Sequence, residues 1–505
     1  MIMNLKRILA LILAALMLAP AFASCDKETP DTPDNPDTPA VSDSGSDTDT
    51  TAPEQTGLVL DKTDFEGASL RIHGVSPALS YGYYQTNEIW IETESPDPFE
   101  SAVYKRVQDC INKYNFNIAY DYSEAPLSDI AALVSGGLDQ YDVVFGKWSD
   151  SYKSAKAGNL LDIKDMVTVD LNNEWWDQNA NRELCVANRM FYTTGDISVI
   201  DDRCARSLYF NKTLAKNNNL DNPYELVRKN QWTFDKFAEM SRAVYQDLNA
   251  NGETDLGDTL GFFYEAGQFH FLITGLDEHY ATLDKDGMPI YSFLQTSEAV
   301  TKMETLSKLL IDPKVTYDIA RATDYEGFSN RWMYARGMFA AGKQLFTVGG
   351  ALVITEFADM EDEFGILPMP KWTPEQERYY HIIETPTPMM GIPNTKVDTT
   401  DLGYMLEYFS YEGLQTLTPA FKEKMLKRRY AQDADSGDML DLIYASKCFD
   451  VGFVGNWGSV LNIANGALGK GKVPSTTTYN RAVKSVHKLI GDDFEAFSKV
   501  GRDVQ

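Results

Sequence analysis

Residues 141–163 read YDVVFGKWSDSYKSAKAGNLLDI. The apolar run Val143 to Phe145 fits a strand buried on both faces, the kind found inside a parallel sheet. Upstream, strand-like runs alternate with helical ones: SLRIHG at 69–74, a helix from Phe99 to Tyr114, FNIAYDY at 116–122, a helix near 126–136, then the strand YDVVFG at 141–146. That alternation predicts an α/β architecture, a parallel sheet with flanking helices. In the first helix Phe99, Val103, Val107, Cys110, Ile111 and Tyr114 share one face, with Lys105, Arg106 and Lys113 pointing elsewhere.

Downstream the pattern continues with a hairpin-like CVANRMFYTTGD, a strand CARSLYFNK over 204–212, and a helix opened by WTFDKFAEM with Thr233 as its expected N-cap. Helices are expected at about 297–311 and 331–342, then a strand-like EFGILPMPKW over 363–372. A sheet, a second region and a return to sheet imply that the chain crosses between lobes more than once.

The N-terminus has its own logic. Lys6 and Arg7, an apolar run from Ile8 to Leu18, Pro20 and the small residues Ala21, Ala23 and Ser24 have the layout of a secretory signal. The run is shorter than the roughly 20 residues of a membrane span. From Asp26 to Gly57 the chain is rich in Asp, Thr, Ser and Pro and almost free of large apolar side chains, so it is expected to be an extended, disordered linker.

The remaining chain is long enough for two compact lobes. A formal net charge of -28 argues against nucleic acid or anionic lipid as partner, since both need clustered Lys and Arg. Cys110, Cys185, Cys204 and Cys448 match no zinc spacing. Cys185 and Cys204 could meet as a disulfide, or all four could be free buried thiols; the sequence leaves both open.

The stretch DLNANGETDLGD, Asp247 to Asp258, carries oxygen side chains at positions 1, 3, 5, 9 and 12 (Asp247, Asn249, Asn251, Asp255, Asp258), glycine at position 6, and Glu253 to donate its backbone carbonyl. A hard cation wants six to eight oxygens at this spacing, so a structural Ca2+ site is expected. Position 12 is Asp rather than the usual bidentate Glu, and the exit TLGFFYEA reads as a strand rather than a second helix.

Aromatic residues make up 12% of the chain, and several stand beside polar partners in predicted loops: Trp148 with Asp150, Trp175 and Trp176 with Asp177, Phe269 with His270, Asn456 with Trp457. Sugar rings present apolar faces edged by hydroxyls, and such pairings suit them. No Gly-x-Ser-x-Gly elbow, His-Glu-x-x-His motif or phosphate-cradling glycine loop is present, and the five histidines are scattered; the many carboxylates could supply the acid and base of a glycoside hydrolase, which the sequence leaves open.

Several of these segments carry a resemblance. Residues 141–163, SLYFNKTLAKNNNLDNPYELVRKNQWTFDKFAEM (207–240), DEFGILPMPKW (362–372) and RRYAQDADSGDMLDLIYASKCFDVG (428–452) are similar to the sugar-binding branch of the extracellular solute-binding lipoproteins of ABC importers, of the type found in Gram-positive gut bacteria. The tetrapeptide Phe22-Ala23-Ser24-Cys25 resembles a lipobox, which implies a signal peptide over 1–24 and lipidation of Cys25 ahead of the linker over 25–57. The resemblance implies a two-lobed periplasmic-binding-protein-like fold of type II, its lobes joined by hinge strands with multiple chain crossings. It divides the chain into a first lobe over 58–196 and 363–410 and a second over 197–362 and 411–505, the last segment including C-terminal helices. The strand at 362–372 would return the chain to the first lobe.

The same resemblance implies a monomeric receptor at the outer face of the cell membrane. It would capture a carbohydrate between its lobes and hand it to the permease subunits, without chemistry on the solute. It places Trp148 and Asp150 after the first-lobe strand as a sugar contact, Phe269 and His270 after the strand that follows the Ca-type loop, Glu356 ahead of the returning strand, and Asn456 and Trp457 in a late loop over the cleft. Leu352 stands where relatives often carry tryptophan. The same fold could serve peptides or another polar nutrient; a surface glycan-binding or glycan-degrading protein is the reading from a different class.

Overall fold

The computed structural model describes residues 58–77, 86–325, 327–396, 398–427, 434–468 and 470–500. The expected signal peptide, Cys25 and the linker lie outside them, as does part of the 428–452 segment. The strands, in chain order, are β1 (Ala68–Val75), β2 (Phe116–Ser123), β3 (Val143–Lys147), β4 (Tyr192–Thr193), β5 (Ser207–Asn211), β6 (Phe262–Tyr264), β7 (Ala281–Leu283), β8 (Pro289–Tyr291), β9 (Thr316–Asp318), β10 (Phe346–Gly349), β11 (Phe364–Leu367), β12 (His381–Ile382), β13 (Pro388–Gly391) and β14 (Lys447–Cys448).

One sheet has the order β2-β1-β3-β13-β4. β1 pairs parallel with β2, Ala68 opposite Phe116, and with β3, Ile72 opposite Val143. β3 is buried from Val143 to Gly146, as its apolar run requires, and β13 joins it antiparallel, Met390 opposite Phe145. The helix Pro98–Tyr114 that links β1 to β2 starts where Asp97 accepts from the amides of Phe99 and Glu100, and ends at Asn115 in the left-handed region. Arg106 does not point away from the core as the apolar pattern suggests. It is fully buried, donates to the carbonyls of Ile197 (2.8 Å), Glu88 (2.7 Å) and Ile89 (3.1 Å), and lies 4.0 Å from the Phe409 ring centre. Carbonyl oxygens and an aromatic face replace the water its guanidinium gives up.

A second sheet has the order β10-β5-β11, with β5 antiparallel to both neighbours. The parallel pair β6 and β9 extends it through backbone bonds from Leu345 to Leu260 (3.0 Å) and from Phe346 to Gly261 (2.9 Å). Behind it Phe237 packs on Phe346 (4.9 Å) and Phe262 (5.5 Å), and Trp232 donates to Pro368 O at 2.9 Å. Thr233 occupies the N-cap of the helix Phe234–Ala243, although its hydroxyl makes no capping bond.

Three local expectations change. The segment 185–196 is not a hairpin: a short helical turn, Val186–Asn188, precedes β4, which pairs with β13 instead. The strand near 204–212 begins only at Ser207, because Ile200–Cys204 is helical. The strand expected to return the chain at 363–372 pairs with β5 in the second sheet, so the return falls later, at Ile383. There an antiparallel bridge joins Ala205 to Ile383 and marks the crossing point; β14 lies parallel to β12 beside it. Cys110, Cys185, Cys204 and Cys448 are all free thiols.

Candidate functional site

Both sheets bring strand ends to this crossing. β3 ends opposite Pro388, just after the returning segment, and the amides of Trp148 and Ser149 donate to Thr387 O (2.8 Å) and Thr385 O (3.1 Å). In the second sheet Gly349, at the end of β10, stands opposite Ser207, just after the outgoing segment. Open α/β sheets bind ligands outside the carboxyl ends of their strands where connections diverge, and this is such a place. At its base Arg206 pairs with Glu384 across the two crossing segments, and its guanidinium lies 5.3 Å from the Phe271 ring centre. Gly350 is pressed against them: a Cβ there would meet Arg203 O at 2.5 Å, so only glycine fits.

The end of β6 carries a second group of polar side chains. Glu265 is buried, accepts from the Gly267 amide at 2.7 Å and pairs with Arg331 at 2.7 Å. Burial pushes its carboxyl up, against the pull of that amide and of the guanidinium. The half-buried Trp332 lies so close that a Cβ on Gly267 would stand 2.6 Å from its ring. Asn330 caps the helix that presents Arg331 and Trp332, accepting from Met333 N at 3.0 Å. The hydroxyl of Tyr264 is buried without a hydrogen-bond partner. A partly exposed aromatic face and a guanidinium from one helix start, backed by the buried carboxylate just past β6, suit a polyhydroxylated ring. The sequence reading did not single these residues out; the signal was the strand exit FFYEA and the Asn-Arg-Trp start of a helix.

The residues expected as ligand contacts occupy other settings. Trp148 and Asp150 lie in the helix Trp148–Lys156, not in a loop. Trp148 is fully buried and meets Phe449 edge-on at 6.2 Å, while Asp150 is half exposed beside Lys153. Phe269 and His270 open the helix Phe269–Gly275, also in place of a loop, and both are buried. His270 contacts the Tyr280 hydroxyl (2.6 Å) and Asn465 (3.1 Å), and burial lowers its pKa to about 3. Glu356 forms a two-point ion pair with Arg336 at 2.6 and 2.9 Å, and burial raises its pKa to about 7. Asn456 adopts a left-handed conformation at a helix end, and Trp457 is buried with its indole N–H donating to Asp493 at 2.8 Å. Asp493 also accepts from Tyr152 at 2.5 Å, so Trp457 and the Trp148 helix meet through one carboxylate.

A separate cavity of about 280 Å³ is lined by Arg182, Glu183, His279, Arg378, Tyr380 and Phe449 among others. Its ions pair with one another: Arg378 lies over Tyr380 (4.6 Å) and pairs with Glu183 (3.1 Å), and His279 with Asp277 (3.2 Å).

In the 247–258 loop the expected ligands fold inward. Asp247 accepts from Gly252 N at 2.9 Å, and the side-chain amides of Asn249 and Asn251 both reach Asp255 Oδ2, at 2.9 and 2.8 Å. Gly252 has φ +77°, the turn that a metal loop asks of position 6. Asp258 is fully buried and caps the backbone amides of Leu248 and Asp255, and the Glu253 amide donates to Asn251. The loop thus closes on itself, the amides of Asn249 and Asn251 turned to Asp255 and their oxygens to the amides of Asn251 and Glu253, while Asp258 is committed to the backbone.

No family model matches the chain, and no curated protein matches it by sequence. Solved structures do match in fold. A maltose-binding periplasmic protein from Listeria monocytogenes, solved with maltose, superposes with a TM-score of 0.54 at 12% identity over 84% of this chain and 98% of its own. A cyclo/maltodextrin-binding protein solved with maltotetraose gives 0.53 at 13% identity, covering 88% and 100%. An ABC substrate-binding protein from Listeria monocytogenes, in complex with cycloalternan, gives 0.51 at 11% identity, covering 84% and 99%. The chain therefore has the two-lobed, type II periplasmic-binding-protein-like fold. Among the described residues no helix is long and apolar enough to cross a membrane.

Proposed function

We propose that the protein is the lipid-anchored, extracellular solute-binding component of an ABC importer, capturing a carbohydrate between its lobes and presenting it to the permease. The observation that carries this reading is the group just past the end of β6, where Trp332, Glu265 and Arg331 supply a stacking face and paired polar groups. The fold relatives support it, having been solved with maltose, maltotetraose and cycloalternan. The charged groups at the crossing and past β6 are paired, Arg206 with Glu384 and Arg331 with Glu265, which favours an uncharged solute. Closure of the lobes around the sugar would signal occupancy, and no bond of the solute would be broken. Trp148, Asp150, Phe269, His270, Asn456 and Trp457 then act behind the contact surface, holding the helices that frame it. Lipidation at Cys25 and a monomeric state belong to the same reading.

Thermal unfolding of the full chain against a panel of mono-, oligo- and cyclic saccharides and short peptides tests it, because a ligand that binds only the folded state raises its stability. A concentration-dependent rise with one sugar class and intact sugar after incubation are expected. A rise with peptides alone, or release of sugar fragments, would overturn the reading.

We also propose that the 247–258 loop binds Ca2+ through Asp247, Asn249, Asn251, the Glu253 carbonyl and Asp255, as a structural staple, with Asp258 holding the loop from beneath. Added Ca2+ should raise the unfolding temperature and a chelator should reverse it. Asp247→Ala should abolish the response; an equal response in that variant would rule this loop out.

A further inference from the structure

The two crossing segments run beside a buried cluster whose charges do not balance. Lys447, on β14, places its ammonium 2.8 Å from Asp177, 2.5 Å from Asp202 and in direct ion-pair contact with Asp201. Asp177 caps the helix Gln178–Glu183, while Asp201 and Asp202 lie in the helix Ile200–Cys204, which leads into the crossing at Ala205. Lys447 stands opposite His381, two residues before the returning chain reaches Ile383. Asp202, the most open of the four side chains, is 14% exposed. Water can therefore do little to screen the excess negative charge.

The surrounding groups do not supply the missing cation. Asp196, just upstream, adds another carboxylate, which accepts from the Thr418 hydroxyl and feels Asp201 and Asp202. Tyr444 is a buried phenol whose ionisation is strongly disfavoured. His381 accepts from Met369 N at 3.1 Å, and burial lowers its pKa to about 3, so it is neutral. Arg203, on the same helix as Asp201, pairs with Glu88 at 2.5 Å, and Arg106 is engaged by carbonyls. Three carboxylates on one ammonium cannot all ionise cheaply in such a place.

We propose that this cluster is a proton-loaded clasp on the two crossings: Asp201, crowded with Asp177 and Asp202 around one ammonium, keeps a proton that the unfolded chain would release, and its loss as pH rises loosens Ile200–Cys204 from β14. The clasp rests on the reading that the lobes move about these crossings. Burial, together with Asp202 and Asp177 and against the pull of Lys447, raises the pKa of Asp201 to about 7, and burial also raises Asp196 to about 7. The sign follows directly. Unfolded aspartates titrate near 3.9, so the stabilisation from the retained proton is complete below about pH 4 and is lost as pH rises towards 7. In that window each proton lowers the folding equilibrium constant by up to about tenfold per pH unit.

The test uses the full chain with no solute. Infrared titration should show a carboxylic-acid carbonyl band surviving to near-neutral pH in the wild type and lost or weakened in Asp201→Asn or Asp202→Asn. Amide hydrogen exchange, corrected for intrinsic pH dependence, should quicken at 200–206, 381–383 and 446–449 as pH rises in the wild type but not in the variants. Absence of the band above pH 5 in the wild type would refute the proton. A band without pH-dependent exchange at these segments would refute the clasp. Because no sugar is present, either failure would leave the carbohydrate reading untouched, and failure of sugar binding would leave this result standing.

Discussion

Replacing Glu407 with leucine should lower the stability of the protein by about 4 kcal/mol, more than most single substitutions. Its carboxylate is buried and accepts four hydrogen bonds: from the indoles of Trp175 and Trp176, both at 2.9 Å, from the Asn173 side chain at 2.7 Å and from the Asp170 amide at 3.0 Å. Burial raises its pKa, against the pull of these donors. Leucine would leave all four donors without an acceptor, at roughly 1–3 kcal/mol for each one that stays dry. Glutamine keeps the shape and one acceptor oxygen but turns an amide N–H2 towards two donors, so Glu407→Gln should lose about half as much. Denaturant unfolding measures both. A midpoint unchanged in Glu407→Leu would mean that the Trp175–Trp176 corner is not held as described.

The second large effect separates binding from folding. Trp332→Ala removes the half-exposed ring at the end of β6 and should weaken sugar affinity by about thirty-fold, or about 2 kcal/mol, with the unfolding midpoint nearly unchanged. Trp148→Ala should behave in the opposite sense. Its ring is fully buried against Phe449, so the expected cost is about 3–5 kcal/mol of folding stability. Titration calorimetry and denaturant unfolding on both variants check the pair. If Trp148→Ala stayed stable and lost binding while Trp332→Ala bound normally, the contact surface would lie around the end of β3 rather than that of β6.

The contrast shows what local sequence carries and what it does not. The helix Pro98–Tyr114 is legible because its signals are adjacent: a capping Asp, a proline at the first turn, an apolar face and an Asn that can turn left-handed. β3 is legible because burial on both faces leaves an unbroken apolar run. An aromatic near a charged side chain is ambiguous, since Trp148 near Asp150 and Trp332 beside Arg331 look alike until burial distinguishes them. The strand at 364–367 has the composition of either sheet, and only long-range pairing with β5 assigns it. Arg206 with Glu384 and Glu265 with Arg331 are positions scattered along the chain, and no local pattern reports that the backbone brings each pair together. The 247–258 loop is the opposite case, with its oxygen side chains all within twelve consecutive positions, and the structure ties those of Asn249 and Asn251 to Asp255.

Small-angle scattering of the full chain, with and without the saccharide that most raises its unfolding temperature, tests the central claim most directly. Capture between two lobes that close about the Ala205–Ile383 crossing predicts a smaller radius of gyration at saturation, absent with sugars that do not bind and restored by Trp332→Ala at the same sugar concentration. Tight binding with an unchanged radius of gyration would contradict it.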